Sequence, residues 1–301
     1  MDNRENTNAL SQLSTGLADA VERVGTALVT VNGRQRHPAS GVVYADNLVV
    51  TADHVLEREE DITIQTHDGR TLAAQFVGRD PSSDLAVLRV ADLNLAPARQ
   101  AGEPRVGQLI LAVGRPSEQG PMASLGIVSA VGGPVRTRKG SMLEKFIRTD
   151  ATPYPGFSGG PLVDAEGSVV GITTTGMGGG IALGIPASIA WRIAGTLAEH
   201  GSIKRGFLGI SSQPVKLPES QRGGGSQETG LLIVRVEEGS PAEKGGLLLG
   251  DILVQFDGQK IADTDDLQAL LSGDRVGRGV PAEVIRGGEK KTLQLTVGER
   301  G

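Results

Sequence analysis

Residues 156–164 read GFSGGPLVD. One serine stands between a glycine-phenylalanine pair and two further glycines, and an apolar strand pattern starts after the proline. Glycine allows backbone angles and close approaches that other residues do not. Such a loop can hold a hydroxyl clear of bulk and turn neighbouring N–H groups toward one point. A plain turn between two strands would carry the same residues. A serine hydroxyl is a weak nucleophile at neutral pH, so the loop carries chemistry only if a base and an orienting carboxylate stand elsewhere in the chain.

The chain has four histidines. His37 precedes a proline in a polar turn, His67 lies beside the turn Asp68-Gly69, and His200 ends a helical pattern; all three read as surface residues. His54, in VVTADHVL, directly follows an apolar strand pattern, where a barrel could hold it rigidly. Asp84, in DPSSDLAVLRV, is a carboxylate placed just before a strongly apolar strand. Each alone is as readily a structural residue. Their chain order, His then Asp then Ser, is that of the chymotrypsin barrel and differs from the subtilisin and α/β-hydrolase orders.

Length and composition bound the rest. The 301 residues exceed one ordinary domain, so two domains are expected. Glycine contributes 44 residues and aromatics only 3%, which favours many short strands and loops over long helices. A formal net charge of −5 supplies no extended basic surface and argues against a nucleic-acid partner. The absence of cysteine rules out disulfides, thiolate zinc sites and a cysteine nucleophile. No metal-ligand cluster or cofactor fingerprint is visible, so no cofactor and no metal are assigned; the GMGGGI stretch lacks the last glycine of a dinucleotide motif and leads into a strand.

Along the chain, Leu10, Leu13, Leu17, Val21 and Val24 recur at three- and four-residue steps and predict an amphipathic helix within residues 1–25. From residue 26 to about 200 the pattern changes to short β-rich runs with Asp68-Gly69 as a hairpin turn, which suggests barrels or a sandwich, closed by the helix SIAWRIAGTLAEH with Gly201 at its end. A compact α/β module follows over residues 205–299. There Ser240, Pro241 and Glu243 form a capping-box pattern, Asp257-Gly258 reads as a tight hairpin, and Asp263 caps a helix bearing Leu267, Leu270 and Leu271.

Taken together, TADHV, SSDLAVLRV and TDATPYPGFSGGPLVD, followed by a module that opens RGFLGI and contains GSPAEKGGLLLGDILVQFDG, resemble the HtrA/Deg family of trypsin-like serine proteases with one C-terminal PDZ domain. The resemblance covers about residues 18–299. It implies a mainly β fold: a chymotrypsin-like double β-barrel followed by a small α/β PDZ domain, with a triad in the cleft between the barrels. It carries the roles of base, orienting acid and nucleophile onto His54, Asp84 and Ser158. The oxyanion hole falls to the backbone N–H groups of Gly156 and Ser158. One departure sits inside the motif: Phe157 replaces the family's usual Asn and the Asp of chymotrypsin-type zymogens. Phe cannot receive the ion pair of a freed N-terminus, so its ring must find an apolar niche or cover the loop.

The same resemblance places Thr152, six residues before the serine, near the base of the primary pocket, with Ile181 and Leu183 as apolar walls. With no carboxylate there, cleavage is expected after small or medium aliphatic residues. In the second module, Phe207-Leu208-Gly209-Ile210 matches the PDZ loop, so Leu208, Gly209 and Ile210 would receive a peptide's terminal carboxylate and Leu267 and Leu271 would complete the groove. Arg136, Arg138 and Lys139 lie in the segment whose family counterpart relays PDZ occupancy to the active site.

The expected function is a serine endopeptidase acting on unfolded or damaged proteins and regulated by C-terminal peptides at the PDZ domain. A second reading, from the binding class, is a PDZ-bearing chaperone or scaffold on a weakly active protease fold, which Phe157 keeps open. The family assembles as trimers, commonly through aromatics near the N-terminus. This chain has none before Tyr44, so a homotrimer would rest on the helix stripe Leu10 to Val24 and adjoining loops. No signal-peptide pattern and no run of 18 apolar residues occur, so the chain as it stands reads as cytoplasmic without a membrane span, although one that had lost its leader would read the same.

Overall fold

The computed structural model describes the whole chain except residues 1, 36, 134, 137–141, 144, 177–182, 204, 223–226, 272–274 and 301. It divides into two compact units, Met1–Ile203 and Lys204–Gly301. The fold is mainly β.

Helix α1 (Asp2–Gly25) opens the first unit, and two closed six-stranded barrels follow. The first barrel is built from β1 (Leu28–Asn32), β2 (Ala39–Ala45), β3 (Leu48–Ala52), β4 (Ile62–Gln65), β5 (Thr71–Asp80) and β6 (Leu85–Arg89), in the closed order β1-β2-β3-β6-β5-β4. The second comprises β7 (Leu109–Gly114) and β8 (Met122–Gly132), then, beyond the short hairpin β9 (Val135–Arg136) and β10 (Met142–Leu143), β11 (Phe146–Thr149), β12 (Pro161–Val163), β13 (Val169–Thr174) and β14 (Leu183–Pro186). Its closed order is β11-β14-β13-β12-β7-β8.

Several of these strands read as continuous apolar runs because both of their faces are covered. In the first barrel Val29, Val43, Val49, Ala86 and Leu88 point into the barrel interior. Their neighbours Leu28, Val42, Val50, Leu85 and Val87 point outward into a second core, shared with Leu111, Val113, Ile172 and Ile185 of the second barrel. Alternate side chains of a strand face opposite sides, so a strand between two cores is apolar throughout. Each fully buried Val, Leu or Ile contributes roughly 1.5–3 kcal/mol, and this shared core fixes the two barrels against each other.

Helix α2 (Ala187–His200) lays Ala190, Ala194 and Leu197 on that core and ends where Gly201, at φ 74°, donates its N–H to the Leu197 carbonyl at 2.8 Å. Tyr44 meets Trp191 edge-on at 6.0 Å and donates its hydroxyl to the Ala194 carbonyl at 3.1 Å. The α1 stripe is used unevenly. Ala20 and Val24 are buried and Leu17 and Val21 pack beside them, whereas Leu10 is 70% and Leu13 45% exposed.

The second unit contains β15 (Arg205–Phe207), β16 (Ile210–Lys216), β17 (Thr229–Val236), α3 (Pro241–Lys244), β18 (Ile252–Phe256), β19 (Gln259–Lys260), α4 (Thr264–Leu270), β20 (Gly279–Arg286), β21 (Glu289–Thr296) and β22 (Gly298–Arg300). Its main sheet runs β16-β17-β18-β20-β21, with β16 at one edge. Ser240 Oγ accepts the Glu243 N–H at 3.2 Å, as a capping box predicts, but the Glu243 carboxylate reaches Gly239 N–H at 2.6 Å, one residue earlier than the motif's usual partner. Asp263 accepts the Asp266 N–H at 2.9 Å at the start of α4.

Candidate active site

Strand β3 delivers His54. The chain leaves the strand in one 3₁₀ turn, Asp53–Val55, which fixes the imidazole at the end of a buried scaffold. Asp84 arrives from a turn ordered by Asp80, whose carboxylate accepts the N–H groups of Ser82 at 3.3 Å and Ser83 at 3.2 Å and the Ser83 hydroxyl at 2.6 Å. Asp84 itself stands at φ 55°, a left-handed conformation that Asp tolerates better than most residues, and this swings its side chain back toward β3. Its carbonyl accepts Asp53 N–H at 3.0 Å, one carboxylate oxygen accepts His54 N–H at 2.9 Å, and the other meets His54 Nδ1 at 2.6 Å.

Asp84 is 3% exposed. The Thr174 hydroxyl, at the end of β13, donates to the same carboxylate oxygen as the imidazole. A carboxylate only accepts, so Nδ1 carries the proton and Nε2 keeps its lone pair. Backbone, hydroxyl and imidazole donors together compensate the burial of this charge.

Ser158 comes from the loop between β11 and β12. Phe157 N–H donates to the Tyr154 carbonyl at 3.0 Å across Pro155 and Gly156, with Gly156 at φ 87°. Proline followed by a positive-φ glycine suits a type II turn. At Gly159, φ 82°, an added Cβ would come within 2.2 Å of the Ser40 carbonyl. The loop is stitched to both barrels: Ser40 N–H donates to the Ser158 carbonyl at 3.1 Å, Ser40 Oγ to the Gly156 carbonyl at 2.7 Å, and Gly159 N–H to the Thr173 carbonyl at 2.9 Å. The N–H groups of Gly156 and Ser158 take no acceptor among the described residues.

Phe157 resolves the departure noted in the sequence. Its ring is fully buried in the second-barrel core with Ile110, Ala112, Ile147 and Leu162, and it meets Tyr154 edge-on at 5.4 Å. A Cβ at Gly114 would lie 2.5 Å from the ring, so glycine there makes the space. The ring is an apolar anchor directly before the serine.

Sequence reasoning missed three polar residues. Thr174 completes the Asp84 network, Ser40 ties down the loop, and Thr175 Oγ1 lies 3.0 Å from Ser158 Oγ. Among the described residues Thr175 is the only hydrogen-bond partner of the serine hydroxyl. Three consecutive threonines closing an otherwise apolar strand were the available signal.

The remaining expected residues divide. Thr152 is exposed and its carbonyl accepts the Ser124 hydroxyl at 2.6 Å; Leu183 is half-buried and pairs with Thr174 across β13 and β14. Ile181, Arg138 and Lys139 lie outside the described residues. In the second unit Leu208 is buried and Gly209 has φ 76°; their carbonyls accept Ala242 N–H at 2.9 Å and Glu237 N–H at 2.8 Å. Ile210 opens the edge strand β16. Leu267 is buried in the unit's own core and Leu271 packs beside it.

Two interlocked six-stranded barrels with an Asp-oriented histidine and a serine on a glycine loop define the trypsin-like class of peptidase fold. Residues 39–172 match the trypsin-like peptidase domain family and residues 206–297 the PDZ domain family. The solved structure "HtrA-type protease AlgW with decapeptide" is 30% identical with a TM-score of 0.79, over 95% of this chain and 99% of that one. A serine endoprotease from Yersinia pestis is 29% identical with a TM-score of 0.80, over 95% and 98%. The chain belongs to the HtrA family of trypsin-like serine proteases with a PDZ domain.

A "probable periplasmic serine endoprotease DegP-like" of Ectopseudomonas mendocina is 35% identical over 277 residues, 88% of this chain and 58% of the relative. One from Halomonas elongata is 34% identical over 293 residues, 92% and 61%. The chain thus spans somewhat over half the length of these curated relatives. The relatives' periplasmic names overturn the cytoplasmic expectation, which rested on the missing leader pattern and the missing apolar run; a leader is removed from mature exported proteins, and neither absence identifies a compartment. Among the described residues no helix is long and apolar enough to cross a membrane.

Proposed function

We propose that this chain is a serine endopeptidase acting on unfolded polypeptide, with Ser158 as nucleophile, His54 as general base and acid, and Asp84 as the residue that orients the imidazole. The observation that carries the reading is the Asp84 network, which leaves His54 Nε2 as an acceptor, together with a serine whose loop offers two N–H groups that have no acceptor among the described residues. Ser158 exchanges Thr175 for Nε2, transfers its proton there and attacks the peptide carbonyl. The oxyanion is held by Gly156 and Ser158 N–H, where loss of one donor costs about 10²–10³ in turnover. His54 then gives the proton to the leaving amine, and water, activated by the same nitrogen, releases the acyl group.

Thr152 and Leu183 bring no carboxylate, which supports cleavage after Val, Ala, Leu or Ile. The inward-turned carbonyls of Leu208 and Gly209 and the edge position of β16 support capture of a peptide C-terminus by strand addition, with Ile210 as third donor. The exposed end of α1 supports a homotrimer through Leu10 and Leu13.

The test is fluorophosphonate labelling with casein digestion. Wild type is labelled at Ser158 and gives products ending in aliphatic residues, and a folded Ser158→Ala chain does neither. Casein cleavage that survives in Ser158→Ala would sink the assignment. A PDZ-unit peptide should also bind more weakly once amidated.

A further inference from the structure

Strand β7 alternates between two interiors. Ile110 and Ala112 enter the second-barrel core, whereas Leu111 and Val113 enter the core shared with the first barrel. Gly114 continues the former row, against the Phe157 ring. The next residue, Arg115, continues the latter row, and its carbonyl accepts the hydroxyl of Thr30 on β1 at 2.8 Å.

Arg115 is 6% exposed and is the only buried Lys or Arg among the described residues. Its Nε is sealed from solvent without an acceptor, and among the described residues its guanidinium has neither hydrogen bond nor ion pair. Two half-covered arginines differ in having an acidic partner: Arg79, whose Nε is also sealed, pairs with Asp53 at 3.3 Å and Arg286 with Asp251 at 2.7 Å. Taking a cation out of water is strongly unfavourable unless an anion replaces the water. Of its nitrogens only Nε is sealed, so the terminal nitrogens keep contact with solvent and stay open to an anion that none of the described residues supplies.

Its location says what could supply one. Arg115 N–H donates to Ser40 Oγ at 2.8 Å, and that hydroxyl donates to the Gly156 carbonyl at 2.7 Å. A Cβ on Gly156 would touch Pro116 at 2.4 Å. One hydroxyl thus separates the Arg115 backbone from the oxyanion loop. The proposed aliphatic pocket of Thr152 and Leu183 takes the acyl half of a substrate, which leaves the wall of Ser40, Arg115 and Pro116 for the other half.

We propose that Arg115 is a specificity residue that takes a carboxylate of the substrate on the leaving-group side of the scissile bond. The inference rests on Ser158 being the nucleophile. A guanidinium can bind a carboxylate in bidentate fashion, which an ammonium cannot. The carboxylate is an acidic side chain or the chain terminus of the leaving peptide.

The experiment uses internally quenched peptides that share an aliphatic residue before the bond. One set carries Glu, Gln or Lys at each of the first three positions after it. A second set ends two residues after the bond as free acid or amide. Wild type should prefer Glu over Gln in the first set, or acid over amide in the second, by about tenfold in kcat/KM, and the set that responds identifies the source. Arg115→Met should lose the preference and Arg115→Lys keep part of it.

Flat profiles in both sets from a chain that fluorophosphonate labels would overturn the inference while leaving the peptidase reading intact. Failure of labelling strikes the peptidase reading instead.

Discussion

The proposed acid–base half of the site and its proposed nucleophile half are positioned by different forces. His54 and Asp84 come from the first barrel and are held by a polar network: two backbone N–H groups, an imidazole and the Thr174 hydroxyl all converge on one buried aspartate. Ser158 comes from the second barrel and sits beside a buried phenyl ring, with serine and threonine hydroxyls at its edges. A network of charge-assisted bonds fixes protonation and direction at once. An apolar anchor fixes only position, so the serine hydroxyl remains able to rotate between partners. The half that must hold one tautomer is fixed by bonds to a buried carboxylate, and the half that must move during the reaction by an apolar ring and neutral hydrogen bonds.

The largest expected effect tests the polar half. Asp84→Asn should lower kcat by about 10⁴-fold with the fold intact, since an amide can donate to Nδ1 and favour the wrong tautomer. Steady-state kinetics beside a circular-dichroism spectrum decide it. Retention of more than a tenth of the activity would break the contrast.

The apolar half is probed at Phe157. Phe157→Ala should cost about 3–5 kcal/mol of stability through the cavity it opens and slow fluorophosphonate labelling, with Phe157→Leu recovering part of both. Denaturant unfolding and labelling rates measure the two effects. An unchanged melting curve for the alanine variant would show that the ring anchors nothing.

The smallest effect sharpens the account of the mobile hydroxyl. Thr175→Val removes one neutral hydrogen bond from Ser158, worth about 1 kcal/mol, so labelling should accelerate roughly fivefold. Slower labelling would mean that Thr175 assists the nucleophile and does not merely occupy it.

Much of this was legible in local sequence. The His54, Asp84 and Ser158 motifs each sit at the edge of an apolar run, His54 after its run and Asp84 and Ser158 before theirs. The Gly201 stop, the Asp263 cap and the Ser240 half of the capping box involve residues a few positions apart. The contacts that were missed are distant. Thr174 and Asp84 are 90 residues apart, and Ser40 and Gly156 are 116 apart. Nothing in the neighbourhood of a threonine names a carboxylate on another barrel. Phe157 was visible as a departure, but its niche needed Gly114, which belongs to a different strand.

The sequence by itself determined the class of fold, the two-unit order and the residue types of the proposed site, because hydrophobic period, turn chemistry and motif spacing are local properties of the chain. Only the tertiary structure decided that Phe157 is an anchor, that Thr174 and Thr175 serve opposite halves of the site, and that Arg115 lies buried beside the oxyanion loop. Those outcomes depend on which side chains two closed barrels press together, and desolvation and packing act between surfaces that no stretch of sequence contains.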